Sequence, residues 1–174
     1  GRGAFLWPLL DAFPELPVTA CDIEQHRLAP IEAVVRGSRA LLAVQKMDVC
    51  ALPAGDRCFD VVTILEVLEH LAGPAAAAAE AVRVAARAVI ASVPSQPDNN
   101  PGHLRLYTPA SLAALFKTAG ARRVRIDHVP GHMICLAATG LLAFFVFKMP
   151  LLSVSTAALE GVALGLWPRM SEYR

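Results

Sequence analysis

Charge is scarce in this sequence and evenly split. Charged residues make up 18% of the 174 residues, with Lys+Arg 16 against Asp+Glu 15, for a net charge of +1. A nucleic-acid binder shows a basic excess or a basic stripe. Here the one tight basic cluster is Arg122, Arg123 and Arg125, spaced like the solvated face of a strand, so nucleic acid is not an expected partner. Cysteine pairs of the Cys-x-x-Cys kind are absent as well. Cys21, Cys50, Cys58 and Cys135 are scattered, which argues against zinc ribbons and redox motifs. That scatter fits reduced thiols in a cytoplasmic protein, each serving as a small buried hydrophobe. No internal repeat is visible. No uncharged apolar run reaches the roughly 20 residues of a membrane span; the run from Met133 to Phe147 is stopped by Lys148 and Pro150.

What is abundant is apolar side chain: 55% of residues, with a mean hydropathy of +0.48. That excludes a disordered chain, and the length suits a single domain. The excess has two sources, alanine (as in Ala75 to Ala79) and the stretch from Met133 to Trp167.

Short β-rich runs alternate with helical stretches. Ala4 to Phe13 reads as helix, and Pro17 to Cys21 as a short strand ending at Asp22. Glu24 to Arg39 reads as helix, broken or kinked by Pro30. Ala40 to Gln45 is a second strand, and Leu52 to Arg57 a turn. Phe59 to Leu65 is the clearest strand, nearly continuous in apolar residues, as strands covered on both faces are. A helix is expected from Pro74 to about Ala86, then a strand from Ala88 to Val93 and a polar loop from Pro94 to His103. Thr108 and Pro109 open a helix as N-cap and first residue, and that helix stops at Gly120. Val124 to Val129 and His132 to Ala137 pair as a hairpin across Pro130 and Gly131. Strands alternating with helices predict an α/β fold with a doubly wound, mostly parallel sheet and a C-terminal antiparallel hairpin.

Such sheets bind ligands outside the carboxyl ends of their strands, and three acids sit there. Asp22 follows the first strand, about twenty residues after Gly1-x-Gly3, the offset of a ribose-binding acid. Its carboxylate can accept hydrogen bonds from both ribose hydroxyls. Asp48 follows the next strand and can meet an adenine edge. Glu66 closes the Phe59 to Leu65 strand. Each of these acids has a plainer role as turn former or helix cap. An acid after the second strand of a dinucleotide fold also serves NAD, so a nicotinamide-dependent oxidoreductase stays open at this point.

The order of the segments resembles that of class I S-adenosylmethionine-dependent methyltransferases, in the Glu-Val-Leu-Glu-His branch (methyltransferase type 11-like). Gly1-Arg2-Gly3 resembles the end of the glycine-rich first motif, and Val18-Thr19-Ala20-Cys21-Asp22-Ile23 the second strand with its acid. Met47-Asp48-Val49 through Leu52-Pro53 resembles the adenine-contact segment. Phe59-Asp60-Val61-Val62 leading to Glu66-Val67-Leu68-Glu69-His70-Leu71 resembles the fourth strand and the motif after it. Ser92-Val93-Pro94 and His103 to Thr108 resemble the fifth strand and the segment beyond it. The Glu66 to His70 segment argues against the oxidoreductase.

This resemblance implies a Rossmann-like domain over residues 1–138 whose first strand is missing, since that strand would precede Gly1. The chain is then expected to be a piece of a longer protein. Methyl transfer from S-adenosylmethionine to an O or N acceptor is implied, the acceptor being a small or lipid-like molecule. The alternative is a catalytically inactive remnant acting as a binding or membrane-associated module. Gly1 and Gly3 would let the backbone approach the cofactor, Asp22 would hold the ribose with Ile23 against the adenine, and Asp48 and Val49 would touch the adenine from the other side. Leu65 and Glu66 would lie under the methionine end.

On a helical turn, Glu66, Glu69 and His70 share a face, and His103 can reach the same rim. Two carboxylates and two imidazoles can bind Mg²⁺, Mn²⁺ or Zn²⁺. The set resembles clusters with which a methyltransferase of small-RNA 3′ ends and a ubiquinone-pathway relative grip substrate hydroxyls. His70 or His103 is otherwise a general base. Arg105 and Tyr107 either meet substrate or, respectively, pair with a surface acid and pack. His128 and His132 are expected at the surface, flanking the hairpin turn, and Trp7 and Phe13 are expected to pack the first helix. Residues 139–174 form an apolar helical extension with three open readings: packing on the domain or a partner chain, an interfacial membrane contact through 139–167 that serves an apolar substrate, or a membrane span.

Overall fold

The computed structural model describes residues 3–38 and 41–140. The expectations for Gly1 and for nearly all of the C-terminal extension lie outside them. Among the described residues the chain divides after Asp48 into two compact units.

The first unit runs α1 (Leu6–Ala12), β1 (Val18–Asp22), α2 (Gln25–Ser38) and β2 (Leu42–Lys46). β1 and β2 pair in parallel, from Val18 opposite Leu42 to Asp22 opposite Lys46. Apolar residues one helical turn apart, Leu6 and Leu10, face Ile31 of α2 and Leu42 of β2, and Trp7, Val18, Ala20, Val35 and Val44 pack around them. Trp7 thus anchors α1 as expected; Phe13 is only half-buried. Pro30 does not break α2. Its missing N–H would have paired near the start of the helix, where His26 and Pro30 are both exposed, so water can satisfy the freed carbonyl.

The second unit carries β3 (Phe59–Leu65), a single 3₁₀ turn (Leu68–His70), α3 (Pro74–Val84), β4 (Ala85–Pro94), α4 (Pro109–Thr118), β5 (Arg123–Val129) and β6 (His132–Ala138). The sheet order is β3-β4-β6-β5. β3 and β4 are parallel, and β6 lies antiparallel between β4 and β5. Gly131 takes a positive φ of 83° at the hairpin turn, a conformation that costs glycine little. The core joins Val89, Ala91 and Val93 of β4 to Met133, Cys135 and Ala137 of β6, under Ala77, Ala78 and Ala81 of α3 and Leu112 and Phe116 of α4. Alanines on the inner face of α3 let that helix sit close to the sheet. Arg83 on its outer side donates to the carbonyls of Leu52 (3.1 Å) and Ala54 (2.7 Å). Glu80 accepts from the Leu52 amide (2.8 Å), so the turn predicted at 52–57 is tied to α3.

Three expectations need correcting. α3 ends at Val84, not Ala86, because Ala85 already pairs with Phe59 and its carbonyl accepts from the Thr139 hydroxyl (2.9 Å); sheet pairing overrides the helix propensity of alanine. β3 is not covered on both faces: Asp60 and Thr63 are exposed, and β3 stands at an edge of its sheet. Only Cys135 is buried, Cys50 is half-buried, and Cys21 and Cys58 are exposed. Burial pushes the Cys135 thiol up to about 12, so it is an inert core residue. The expected α/β order itself is present, with parallel pairs β1–β2 and β3–β4 and the antiparallel hairpin of β5 and β6. No helix among the described residues is long and apolar enough to cross a membrane.

The start of α4 is as predicted. The Thr108 hydroxyl accepts from the Ser111 amide (3.1 Å), and the Ser111 hydroxyl accepts from the Thr108 amide (2.9 Å). Thr108→Ala should lower unfolding free energy by about 1 kcal/mol, read from thermal or urea unfolding, whereas Thr108→Ser should stay near wild type.

Candidate active site

In the first unit, Asp22 ends β1 and is half-buried. Its Oδ1 accepts from the Glu24 amide (2.9 Å), and Arg27 Nη1 stands 3.7 Å from Oδ2. Burial works against the charged form, but the amide hydrogen bond and nearby positive charge, Arg27 included, outweigh it and hold the carboxyl below its usual range. The turn-forming role and an ionised strand-end acid therefore coexist. Beside it Ile23 is 54% exposed. The Met47 amide donates to the Asp22 carbonyl (3.1 Å), which ties the exit of β2, with the exposed Asp48 after it, to the end of β1. Gly3 has φ +78°, and a Cβ there would meet the indole Nε1 of Trp7 at 2.6 Å. The described structure thus gives Gly3 a packing reason of its own.

In the second unit, the chain reverses after Leu65. Glu66 takes φ +54°, uncommon for a side chain larger than glycine. Its amide donates to the Ser92 carbonyl (3.1 Å). Glu66 is not on a helical face with Glu69 and His70, because only Leu68–His70 form the 3₁₀ turn. Its carboxylate is held elsewhere: Oε1 accepts from the Ser92 hydroxyl (2.6 Å), and Oε2 lies 3.4 Å from His132 Nε2.

Glu69 is wholly buried, and neither carboxylate oxygen has a hydrogen-bond partner. Burial raises its pKa above the ordinary carboxylate value, and the Glu66 charge adds to this, while its own backbone N–H, His70 and His103 pull the other way. His70 Nε2 is 3.9 Å from Glu69 Oε1. The two imidazoles of His70 and His103 meet edge to face with ring centres 4.7 Å apart. Among the described residues, Glu69, His70 and His103 are the group whose ligand atoms could hold a metal ion, all within 4.8 Å of one another. The structure thus gathers three of the four residues expected as ligands and draws Glu66 away to Ser92 and His132.

A shell of hydrogen bonds positions this trio. His70 Nδ1 pairs with the Gly102 carbonyl (2.8 Å), so with the proton on Nδ1 the Nε2 lone pair faces Glu69. His103 Nδ1 stands 2.9 Å from Asp98 Oδ1, and its Nε2 3.0 Å from Asn100 Nδ2. The Leu104 amide donates to the Glu69 carbonyl (2.9 Å). Arg105 donates to the carbonyls of Leu68 (3.3 Å) and Ala72 (3.2 Å) and closely to that of Leu71. Among the described residues its partners are these carbonyls rather than a surface acid, and its guanidinium holds the turn that carries Glu69 and His70. Tyr107 is buried and reaches the Leu68 carbonyl (3.4 Å).

Ser92 and His132 are the site residues that sequence reasoning missed. The available signal was register. With β6 antiparallel to β4, Pro94 faces His132 and Ser92 faces Ile134, so the hairpin turn returns to the carboxyl end of β4. His128 is exposed as expected.

Comparison with known proteins bears on the family and the fold. A family model described as a methyltransferase domain matches residues 1–91. No curated protein matches the chain. The fold resembles that of the [4+2]-cyclase SpnF (15% identity, TM-score 0.64, over 79% of this chain and 72% of that one). It also resembles PigF, solved with SAH (19%, 0.63, over 79% of this chain and 47% of that one). A third neighbour is a SAM-dependent methyltransferase from Aquifex aeolicus (20%, 0.60, over 70% and 68%). The chain spans about half of PigF and about seven-tenths of the other two. At such identities the likeness concerns the fold, while the family match covers more than half of the sequence. The chain belongs to the methyltransferase-domain family, and its fold is that of the class I S-adenosylmethionine-dependent enzymes.

Proposed function

We propose that this chain transfers a methyl group from S-adenosylmethionine to an oxygen or nitrogen of a small or lipid-like acceptor. The observation that carries this reading is the pairing of Asp22, an oriented carboxylate at a strand end, with Ile23, a large apolar side chain left 54% exposed beside it. A carboxylate suits ribose hydroxyls, and an exposed aliphatic face suits an adenine ring. Asp48 would complete the adenine contact. The bound cofactor supplies an electrophilic methyl on sulfonium, so the protein's work is to position, to shield and to move a proton. Leu104 and Leu106 are exposed on either side of Arg105, just after His103, and they support an apolar acceptor.

A divalent cation is the finer part of this proposal. Glu69 offers two oxygens without partners, His70 offers Nε2, and His103 is backed by the Asp98 carboxylate as metal-bound imidazoles commonly are. Two imidazoles and one carboxylate suit Mn²⁺ or Zn²⁺. These three residues would hold the ion, which would polarise an acceptor hydroxyl. His103 would first release the Asn100 amide from Nε2. With no ion, His70 is the better general base of the two, since His103 has both ring nitrogens engaged.

Three outcomes test this reading. S-adenosylhomocysteine should bind in calorimetry; no heat at millimolar ligand would overturn it. Asp22→Ala should weaken that binding by about 1–3 kcal/mol, the loss of a charged hydrogen-bond partner, and an unchanged affinity would remove Asp22 from the ribose role. For the metal, the sign follows from the raised pKa of Glu69. An acid whose folded pKa is raised stabilises the fold at low pH and costs stability as pH rises past its unfolded value. In metal-free protein at pH 7–8, Glu69→Gln should therefore raise the melting temperature, by about 1–3 kcal/mol of stability. Mn²⁺ or Zn²⁺ should raise the melting temperature of wild type and leave Glu69→Gln unmoved; an equal shift in both would dismiss the site.

A further inference from the structure

Glu66 is the one described acid in a left-handed backbone conformation, with φ +54°. Such a residue costs roughly 1–3 kcal/mol and persists where its surroundings over-determine it. Here three contacts do so, from two strands that neighbour one another in the sheet. From β4, the Ser92 carbonyl takes the Glu66 amide (3.1 Å), and the Ser92 hydroxyl, itself buried, donates to Oε1 (2.6 Å). From β6, His132 Nε2 stands 3.4 Å from Oε2. The carboxylate is still 38% exposed and the imidazole 33%, so lone pairs remain open at the carboxyl ends of β3 and β4, where α/β sheets take ligands.

We propose that Ser92 and His132 are positioning residues: they fix the Glu66 carboxylate, each from one side, as the receptor for a cationic or hydrogen-bond-donating group of the cofactor's amino-acid end. This inference rests on the reading that the chain binds S-adenosylmethionine and adds the two residues through which Glu66 is aimed. An unsupported carboxylate on a strained backbone would sample other rotamers and relax its φ, losing order at the moment of binding. A hydroxyl donor on one oxygen and an imidazole donor on the other remove that freedom before the ligand arrives, which is the advantage of preorganisation.

The test uses the full chain and S-adenosylhomocysteine as the probe, with affinity measured by calorimetry and folding followed by circular dichroism and melting temperature. Ser92→Ala and His132→Phe should each weaken binding about tenfold, the size expected for loss of a hydrogen bond to a charged group. His132→Gln, whose amide can still donate, should recover part of the loss. In a Glu66→Gln background neither change should weaken binding further, because both act through that carboxylate. If wild type binds and these variants bind as tightly, the positioning role is overturned while the cofactor reading stands. The same holds if their effects add fully to that of Glu66→Gln. If wild type fails to bind S-adenosylhomocysteine, the cofactor reading falls first and this inference with it.

Discussion

The arrangement of the candidate site depends on how the chain leaves β3. A strand that ends at Leu65 must turn sharply to bring an acid, a 3₁₀ turn and then α3 over one end of the sheet. The turn is made by Glu66 in a left-handed conformation, and the following peptide groups of Leu68, Leu71 and Ala72 present carbonyls toward Arg105. Arg105 supplies the donors. One planar guanidinium with donors in a fixed fork can meet several carbonyls that a lysine could not. With the turn held, Glu69 points into the core and His70 stays at the surface.

The segment from Pro94 to Thr108 is the other half of the device. It has no regular structure, yet its backbone is closely accounted for. The Asn100 amide donates to Asp98 Oδ1 (3.0 Å), and the Gly102 amide to Asn100 Oδ1 (2.9 Å). These short loops within the loop bring the Gly102 carbonyl against His70 and seat His103 beside it. Gly102 has a steric reason too, since a Cβ there would come within 3.2 Å of the His70 ring. A polar, proline-rich stretch is thus a shaped connection whose side chains serve the backbone first and the site second.

Much of this is legible in the sequence, and the limits have physical causes. β3 is legible to the residue, because its β-branched run is bounded by turn residues on one side and an acid on the other. The N-cap at Thr108 and the stop at Gly120 follow from local chemistry, and the hairpin around Gly131 follows from a turn that needs positive φ. What local pattern misreads is long-range competition. Ala85 looks helical and is strand, because Phe59 and Thr139 claim its backbone. The grouping of Glu66 with Glu69 and His70 assumes a helical turn; a left-handed residue at Glu66 rotates its side chain out of that set. Ser92 and His132 give no motif at all, since their role arises only when β6 inserts antiparallel beside β4.

The two glutamates, three residues apart in one motif, end in opposite environments, and this division is where the site's chemistry differs from its fold. Glu66 has a hydroxyl donor at one oxygen and an imidazole nitrogen 3.4 Å from the other, and remains partly open to water. Glu69 is wholly buried with no donor at either oxygen, and two imidazoles stand at its edge. A carboxylate of the first kind is held in place before a ligand arrives. One of the second kind carries an uncompensated desolvation cost that a proton or a cation would relieve. The parallel-sheet scaffold imposes neither: a [4+2]-cyclase shares it, and folds host unrelated reactions by changing the residues at the strand ends. On the proposed reading, the opposed surroundings of the two acids would have Glu66 and Glu69 meet different groups.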